Sequence, residues 1–295
     1  MTGASHPPQP PHEPTGTPPA GGSPWTDLER PPLRGRELDH ALTGHGGLWR
    51  EIDVVAETGS TNADLAARAA EPEGLVRVAE YQSAGRGRLD RAWTAPPRSG
   101  LFLSVLLRPT EVPVAQWGWL PLLVGVAAAE STSRVAGLDV RLKWPNDLLI
   151  GDRKLAGILA ERAGDGVVVG IGLNVTLAAD ELPVPTATSL GLENSITTDR
   201  DPLLRALLRD LEAWYTRWRE AGGDARSSGL HSAYTAACAT LGRRVRVELP
   251  AGRTLIGTAT AIDNDGRVVV EGTHGPEAVG AGDVIHVRPA DDVQM

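Results

Sequence analysis

Apolar and polar positions divide the chain into a polar, proline-rich beginning, a long central region of mixed periodicity, and a final stretch of short alternating runs. Apolar side chains at helical spacing predict helices over 33–42, 63–70, 116–135, 201–220 and 230–241. In the fourth of these, Leu204, Leu207, Leu208, Leu211, Trp214, Tyr215 and Trp218 share one side. Period-two or continuous apolar runs predict strands over 51–55, 75–81, 101–107 and 139–144, with 101–107 apolar enough for a central strand. Three more strands follow closely, at 147–150, 154–160 and 167–173. Gly151-Asp152 and Gly164-Asp165-Gly166 join them. Such short connections make antiparallel hairpins, because a parallel crossover needs a dozen residues or more.

The expected fold class is therefore α+β, with a mixed, largely antiparallel sheet packed with helices, and not a doubly wound sheet. After Gly242 the pattern becomes short strands, at 245–249, 254–262, 267–271 and 283–287, with a hairpin signal at Asn264-Asp265-Gly266. This predicts a small C-terminal SH3-like β-barrel. Residues 1–32 hold ten of the 23 prolines and read as disordered. The predicted organisation is thus a tail over 1–32, a large α+β domain over 33–240 and a small β domain over 241–295.

Charge and composition narrow the function classes. Lys and Arg total 29 against 37 Asp and Glu, a net charge of −8, which is the wrong sign for a general nucleic-acid binder. Cys238 is the only cysteine, so no intrachain disulfide or cysteine zinc site is available; it reads as a core residue in an alanine-rich helix. No run is long enough to span a bilayer, and the N-terminus lacks the pattern of a signal peptide. A cytoplasmic enzyme is expected, with no membrane or nucleic-acid partner.

Two stretches carry chemistry. Gly85-Arg86-Gly87-Arg88 sets two guanidinium groups among glycines. Glycine admits close backbone approach and arginine matches carboxylate and phosphate geometry. The stretch reads as a loop that closes over an anionic small molecule, or as a solvated surface loop. In Lys143-Trp144-Pro145-Asn146-Asp147, a strand delivers a lysine and a proline turn follows. The lysine suits charge developing on phosphate oxygens, and the Asp147 carboxylate suits Mg²⁺; the alternative is a structural salt bridge at a β-corner.

These stretches belong to an ordered set. Gly59-Ser60-Thr61-Asn62, Gln82-Ser83-Ala84-Gly85-Arg86-Gly87-Arg88, Trp93, Lys143-Trp144-Pro145-Asn146-Asp147, Arg153-Lys154-Leu155-Ala156-Gly157-Ile158-Leu159 and Gly170-Ile171-Gly172-Leu173-Asn174-Val175 closely resemble the biotin protein ligases. Order and spacing agree from about Glu51 to Val175, and the small C-terminal β domain suits that layout.

The resemblance implies a class II synthetase-like catalytic domain, with biotin and ATP as substrates and Mg²⁺. Biotinyl-5′-AMP forms first; biotin then passes to a lysine on the biotin carboxyl carrier domain of an acyl-CoA carboxylase. By the same resemblance, Ser60, Thr61, Asn62 and Gln82 meet the ureido ring of biotin. Gly85, Arg86, Gly87 and Arg88 form the loop over the biotin carboxylate and the adenylate. Lys143 is the main catalytic group, assisted by Arg88, and contacts the acyl-phosphate. Asn146 and Asp147 shape the nucleotide or Mg²⁺ side. Trp93 either walls the pocket or anchors the loop base. Lys154 and Asn174 are ligand contacts or supports of the hairpins. A monomer or weak homodimer is expected.

Two departures stand out. The family loop usually has a further glycine after its second arginine, where this chain has Leu89-Asp90-Arg91. The DNA-binding domain of repressor-type members is not expected, since 1–32 leaves no room for it, and a repressor role is not implied. The competing readings are a lipoate- or octanoyl-transferring relative and a nucleic-acid-binding regulator.

Overall fold

Strand β3 (Gly100–Leu107) has all eight residues buried. Its neighbours explain this: β2 (Leu75–Ala79) pairs along one edge and β7 (Gly166–Asn174) along the other. The computed structural model describes residues 30–44, 46–249, 252–280 and 283–286; the expected tail over 1–32 lies almost wholly outside the described residues, as does Val287.

Adding β1 (Glu51–Val55), β4 (Val140–Lys143), β5 (Asp147–Ile150) and β6 (Arg153–Ala163) completes a seven-stranded sheet of order β1-β2-β3-β7-β6-β5-β4. The β1–β2 pair is parallel and the other pairs are antiparallel. The sheet is thus mixed and largely antiparallel. The strand pairing sets Asp147 beside Gly157 by way of a bulge at Leu148/Leu149, Gly157 beside Gly172 through the hairpin at 164–165, and Gly172 beside Phe102.

Helices α1 (Gly35–Leu42), α2 (Thr61–Ala67), α3 (Leu120–Ala136), α4 (Arg200–Glu220) and α5 (Leu230–Ala237) surround this sheet. Alternation along the strands sends Leu101, Leu103, Val105 and Leu107 into the main core with α3 and α4. Leu106 and Val168 point the other way and form a small cluster with Leu65 of α2. That second face carries the functional side chains.

Several helix boundaries differ from the sequence reading, three of them near the functional face or the C-terminal sheet. Helix α3 starts at Leu120, after a 3₁₀ segment over Val114–Trp119, because Pro121 lacks an N–H and is tolerated only in a first turn. Helix α2 begins at Thr61, so Thr61 and Asn62 stand on its first turn rather than in the preceding loop. Helix α5 stops at Ala237, and the next residues run extended: Cys238 bridges Leu142 and the Ala239 amide donates to the Leu142 carbonyl at 2.7 Å. Cys238 is buried, but beyond the helix end.

The C-terminal strands are β8 (Arg244–Glu248), β9 (Thr254–Ile262), β10 (Val268–Gly272), β11 (Gly275–Val279) and β12 (Asp283–His286). They form one antiparallel sheet of order β11-β10-β9-β8-β12. Strand β11 was not anticipated: it opens Gly275-Pro276, and proline is admitted here because β11 is an edge strand. Among the described residues no helix is long and apolar enough to cross a membrane.

One buried ion pair locks helix α4 to the sheet. Arg200, at the start of α4, donates to Glu80 at 2.5 Å, with side-chain exposures of only 4% and 8%, and reaches the Gly100 carbonyl at 3.2 Å. Replacing Glu80 with alanine takes the carboxylate away from a buried guanidinium. The expected loss is about 3–5 kcal/mol of unfolding free energy, measured by urea titration.

Candidate active site

A cavity of about 380 Å³ lies on the second face of the large sheet, within the size range of small-molecule sites. Its floor is built from glycines on β6 and β7. A Cβ at Gly172 would stand 2.5 Å from the Trp93 ring, one at Gly157 would stand 3.0 Å from it, and one at Gly170 would stand 2.2 Å from Asn62 Oδ1. Side chains on these strands would fill the space, so glycine is what makes room for a ligand and for the two residues pressed onto the floor.

Helix α2 supplies the uncharged wall. Gln82 Oε1 accepts from the Thr61 amide at 2.9 Å and from the Thr61 hydroxyl at 3.1 Å. Among the described residues the Gln82 amide nitrogen has no hydrogen-bond partner, and it lies close to Gly85. Asn62 is engaged at both ends of its amide: its Oδ1 accepts from Ser104 Oγ at 2.6 Å, and its Nδ2 donates to Glu161 at 2.6 Å and to the Leu159 carbonyl at 3.3 Å. Asn62 therefore pins the wall. Ser60 and the Gln82 amide offer uncommitted polar groups to the cavity, which suits a neutral polar ligand group.

The Gly/Arg stretch is a short hairpin over the opening. Trp93 N donates to the Gly85 carbonyl at 2.8 Å and Gly87 N to the Arg91 carbonyl at 2.7 Å, with Arg86 bridging Ala92. Gly85 sits at its base, outside the cavity lining, where a Cβ would stand 2.4 Å from the Trp93 carbonyl. Leu89 forms the tip at φ 55 and ψ 43. This is the left-handed region, which costs a non-glycine residue about 1–2 kcal/mol. The turn that an additional glycine would make freely is made here by leucine, with its side chain 66% exposed.

Both arginines are anchored across the cavity. Arg86 pairs with Glu161 at 3.0 Å, the carboxylate that also holds Asn62, so one oxygen ties the lid to the uncharged wall. Arg88 donates to Asn146 Oδ1 at 3.1 Å, while Asn146 Nδ2 holds the Ile158 carbonyl at 3.0 Å.

The turn between β4 and β5 brings the remaining polar groups. Lys143 lines the cavity, and among the described residues it has no carboxylate partner. Lys154 has one: its ammonium lies 2.6 Å from Asp147 and 5.8 Å from the Trp93 ring centre. Asn174 also lines the cavity, where it donates to the Thr188 carbonyl at 2.9 Å. Thus Ser60, Thr61, Asn62, Gln82, Arg86, Gly87, Arg88, Trp93, Lys143, Asn146, Asp147, Lys154 and Asn174 all line one cavity, and Gly85 supports it from outside.

Sequence reasoning missed two polar groups behind the lining. Ser104 is the lone polar residue in the apolar β3 run, a signal visible in advance. Glu161 lies on an alternating strand where nothing distinguishes it from a solvated carboxylate. Among the described residues no cluster of three or more His, Cys, Asp or Glu is arranged to hold a metal ion.

The chain has clear relatives. A model of the biotin/lipoate A/B protein ligase family matches residues 52–176, and one of the biotin protein ligase C-terminal domain matches residues 240–287. The chain is 47% identical over 268 residues to the biotin–[acetyl-CoA-carboxylase] ligase of Mycobacterium tuberculosis, covering 89% of this chain and 98% of the relative. It is 38% identical over 178 residues to the bifunctional ligase/repressor BirA of Escherichia coli, covering 58% of this chain and 55% of that protein. The structure of the Aquifex aeolicus biotin protein ligase in complex with biotin and ATP matches with a TM-score of 0.67 at 27% identity, covering 80% of this chain and 98% of that one.

Proposed function

The chain belongs to the biotin protein ligase family, and we propose that it joins biotin to a lysine of a biotin carboxyl carrier domain in two steps. First, a biotin carboxylate oxygen attacks the α-phosphorus of ATP, and the bond to pyrophosphate breaks. Second, the carrier lysine nitrogen attacks the carbonyl carbon of the mixed anhydride, AMP leaves, and the amine gives up its proton.

The observation that carries this reading is the two-sided cavity. Ser60 and Gln82 face a neutral, hydrogen-bonding group such as the ureido ring. Arg88, Lys143 and Lys154 bring positive charge where a carboxylate and a phosphate must meet. Two anions repel, and fixed cations in a desolvated site lower that barrier. Lys143 is the cation we assign to the acyl-phosphate, since Lys154 is already held by Asp147. The hairpin over Gly85–Trp93 shields the anhydride from water until the carrier arrives.

Magnesium is assigned to ATP rather than to a protein site. Asp147 is a lone carboxylate whose Oδ1 lies against Lys154, and it does not by itself make a cage for the ion. The carrier is taken to be the biotin domain of an acyl-CoA carboxylase, and the reaction is placed in the cytoplasm.

Gly170→Ala tests the uncharged wall. The new methyl group pushes Asn62 toward the space the ligand must take, and biotin affinity is expected to fall about tenfold, read by calorimetric titration. The reading itself is tested by mixing the protein with Mg-ATP, a biotin carrier domain and either labelled biotin or labelled lipoate. Label is expected on the carrier with biotin. Label with lipoate alone would assign the chain to the lipoate-transferring relatives.

A further inference from the structure

The turn that carries Lys143 is tied to the C-terminal sheet by side chains that the chemistry above leaves without a role. Trp144, the next residue, is 2% exposed. Its indole donates to the Gly266 carbonyl at 2.9 Å, and its backbone amide donates to Thr240 Oγ1 at 3.0 Å. Thr240 is completely buried. On its other side, Thr240 Oγ1 lies 3.1 Å from His286 Nε2. His286 ends β12, the strand whose Val284 and Ile285 form part of the cavity wall.

The surroundings of His286 favour its neutral form. Among the described residues, Lys143 from β4, Arg243 from the segment before β8 and Asp152 from the β5–β6 turn are the charged groups acting on it. Arg243 Nη1 stands 3.5 Å from His286 Nδ1, although its main partner is Asp152 at 2.5 Å. A guanidinium can only donate, so Nδ1 presents its lone pair and the ring proton is assigned to Nε2. Burial, followed by the positive charges of Lys143 and Arg243, pushes the His286 pKa down to about 4. The ring is neutral at pH 7, and its Nε2–H donates to Thr240. Thr240 Oγ1 then accepts from both His286 and the Trp144 amide.

We propose that His286 is a positioning residue for Lys143, acting through Thr240 to fix the peptide that follows the lysine. The C-terminal sheet thereby sets the place of the cation that meets the acyl-phosphate. A lysine ammonium rides on a flexible four-carbon stem, so its reach is defined only if the backbone beneath it is held. Misplacement of a reacting group by about 1 Å costs rates of the order of a hundredfold. A neutral histidine holds this backbone without placing another charge beside Lys143.

This inference rests on the ligase reading, and the test separates the two. The full chain and its His286→Ala, His286→Leu and His286→Gln variants are assayed for biotin-dependent pyrophosphate release from Mg-ATP, with the biotin carrier domain present at saturation so that the adenylate turns over. The alanine and leucine variants are expected to lose about tenfold in kcat, with the biotin KM changed less than about twofold. The glutamine variant keeps a side-chain N–H and is expected to recover most of the rate. An alanine variant within about twofold of the unsubstituted chain would overturn the proposal. So would a loss that appears in KM alone, or a leucine variant as fast as the glutamine one, which would assign His286 to packing. If the unsubstituted chain releases no pyrophosphate, the ligase reading fails instead.

Discussion

Lys143→Ala stops adenylate formation: pyrophosphate release at saturating biotin and ATP is expected to fall by at least about 100-fold, with the protein still folded and still binding biotin. The expectation follows from how charge is distributed in the cavity. Lys154 is committed to Asp147 at 2.6 Å. Arg86 is committed to Glu161 at 3.0 Å, and Arg88 reaches Asn146. Lys143 is the cavity lysine without a carboxylate partner among the described residues, so its charge is available to incoming oxygens. The turn itself does not depend on that side chain, because Trp144 holds it through Gly266 and Thr240. Loss of rate with an unchanged melting curve therefore reports electrostatics rather than unfolding. A Lys143→Ala variant within about tenfold of the unsubstituted rate would shift the catalytic assignment to Lys154.

Arg88→Gly has the second largest expected effect, and it falls more on retention than on formation. Arg88 ties the tip of the hairpin to Asn146 at 3.1 Å across the opening of the cavity. Losing one hydrogen bond from a charged donor costs about 1.5–3 kcal/mol, which is about 10- to 150-fold in escape rate. Leu89 adds to the effect. Its left-handed backbone is held against its own preference, so a loop that loses its arginine tie has less reason to stay in place. The adenylate is expected to form, leave early and label lysines of bystander proteins in a mixture. Retention of the adenylate equal to that of the unsubstituted chain would remove the hairpin's role as a lid.

How much of this was legible in the sequence depends on the range over which each signal acts. The apolar run of β3 and the Gly-Asp hairpins were visible because burial and tight turns are local. They were enough to set an antiparallel sheet, but not the bulge at Leu148/Leu149 that places Asp147 beside Gly157. Strand β11 was hidden because Gly275 and Pro276 weaken every strand signal, and pairing with β10 overrides them. The start of α3 was misplaced by four residues because apolar spacing continues through the 3₁₀ segment, while Pro121 marks where helix can begin.

The cavity residues were legible as motifs, but their partners were not. Ser104 and Glu161 act from strands that meet α2 and the Arg86 loop only in three dimensions. Thr240 and His286 are joined to Trp144 only after the C-terminal sheet has packed against the Lys143 turn. Asn62 shows the converse: a residue expected to meet ligand directly lines the cavity while its donors, and one of its two acceptor sites, are also engaged by the protein.

The central claim is that one cavity makes biotinyl-5′-AMP and keeps it for a carrier lysine. The most direct measurement is native mass spectrometry of the protein incubated with biotin and Mg-ATP, without carrier and then with it. A single bound biotinyl-5′-AMP is predicted per chain, stable until the carrier domain is added and then replaced by biotinylated carrier and free AMP. A protein that binds biotin and ATP as separate, unreacted ligands, or that hands no biotin to the carrier, would contradict the account.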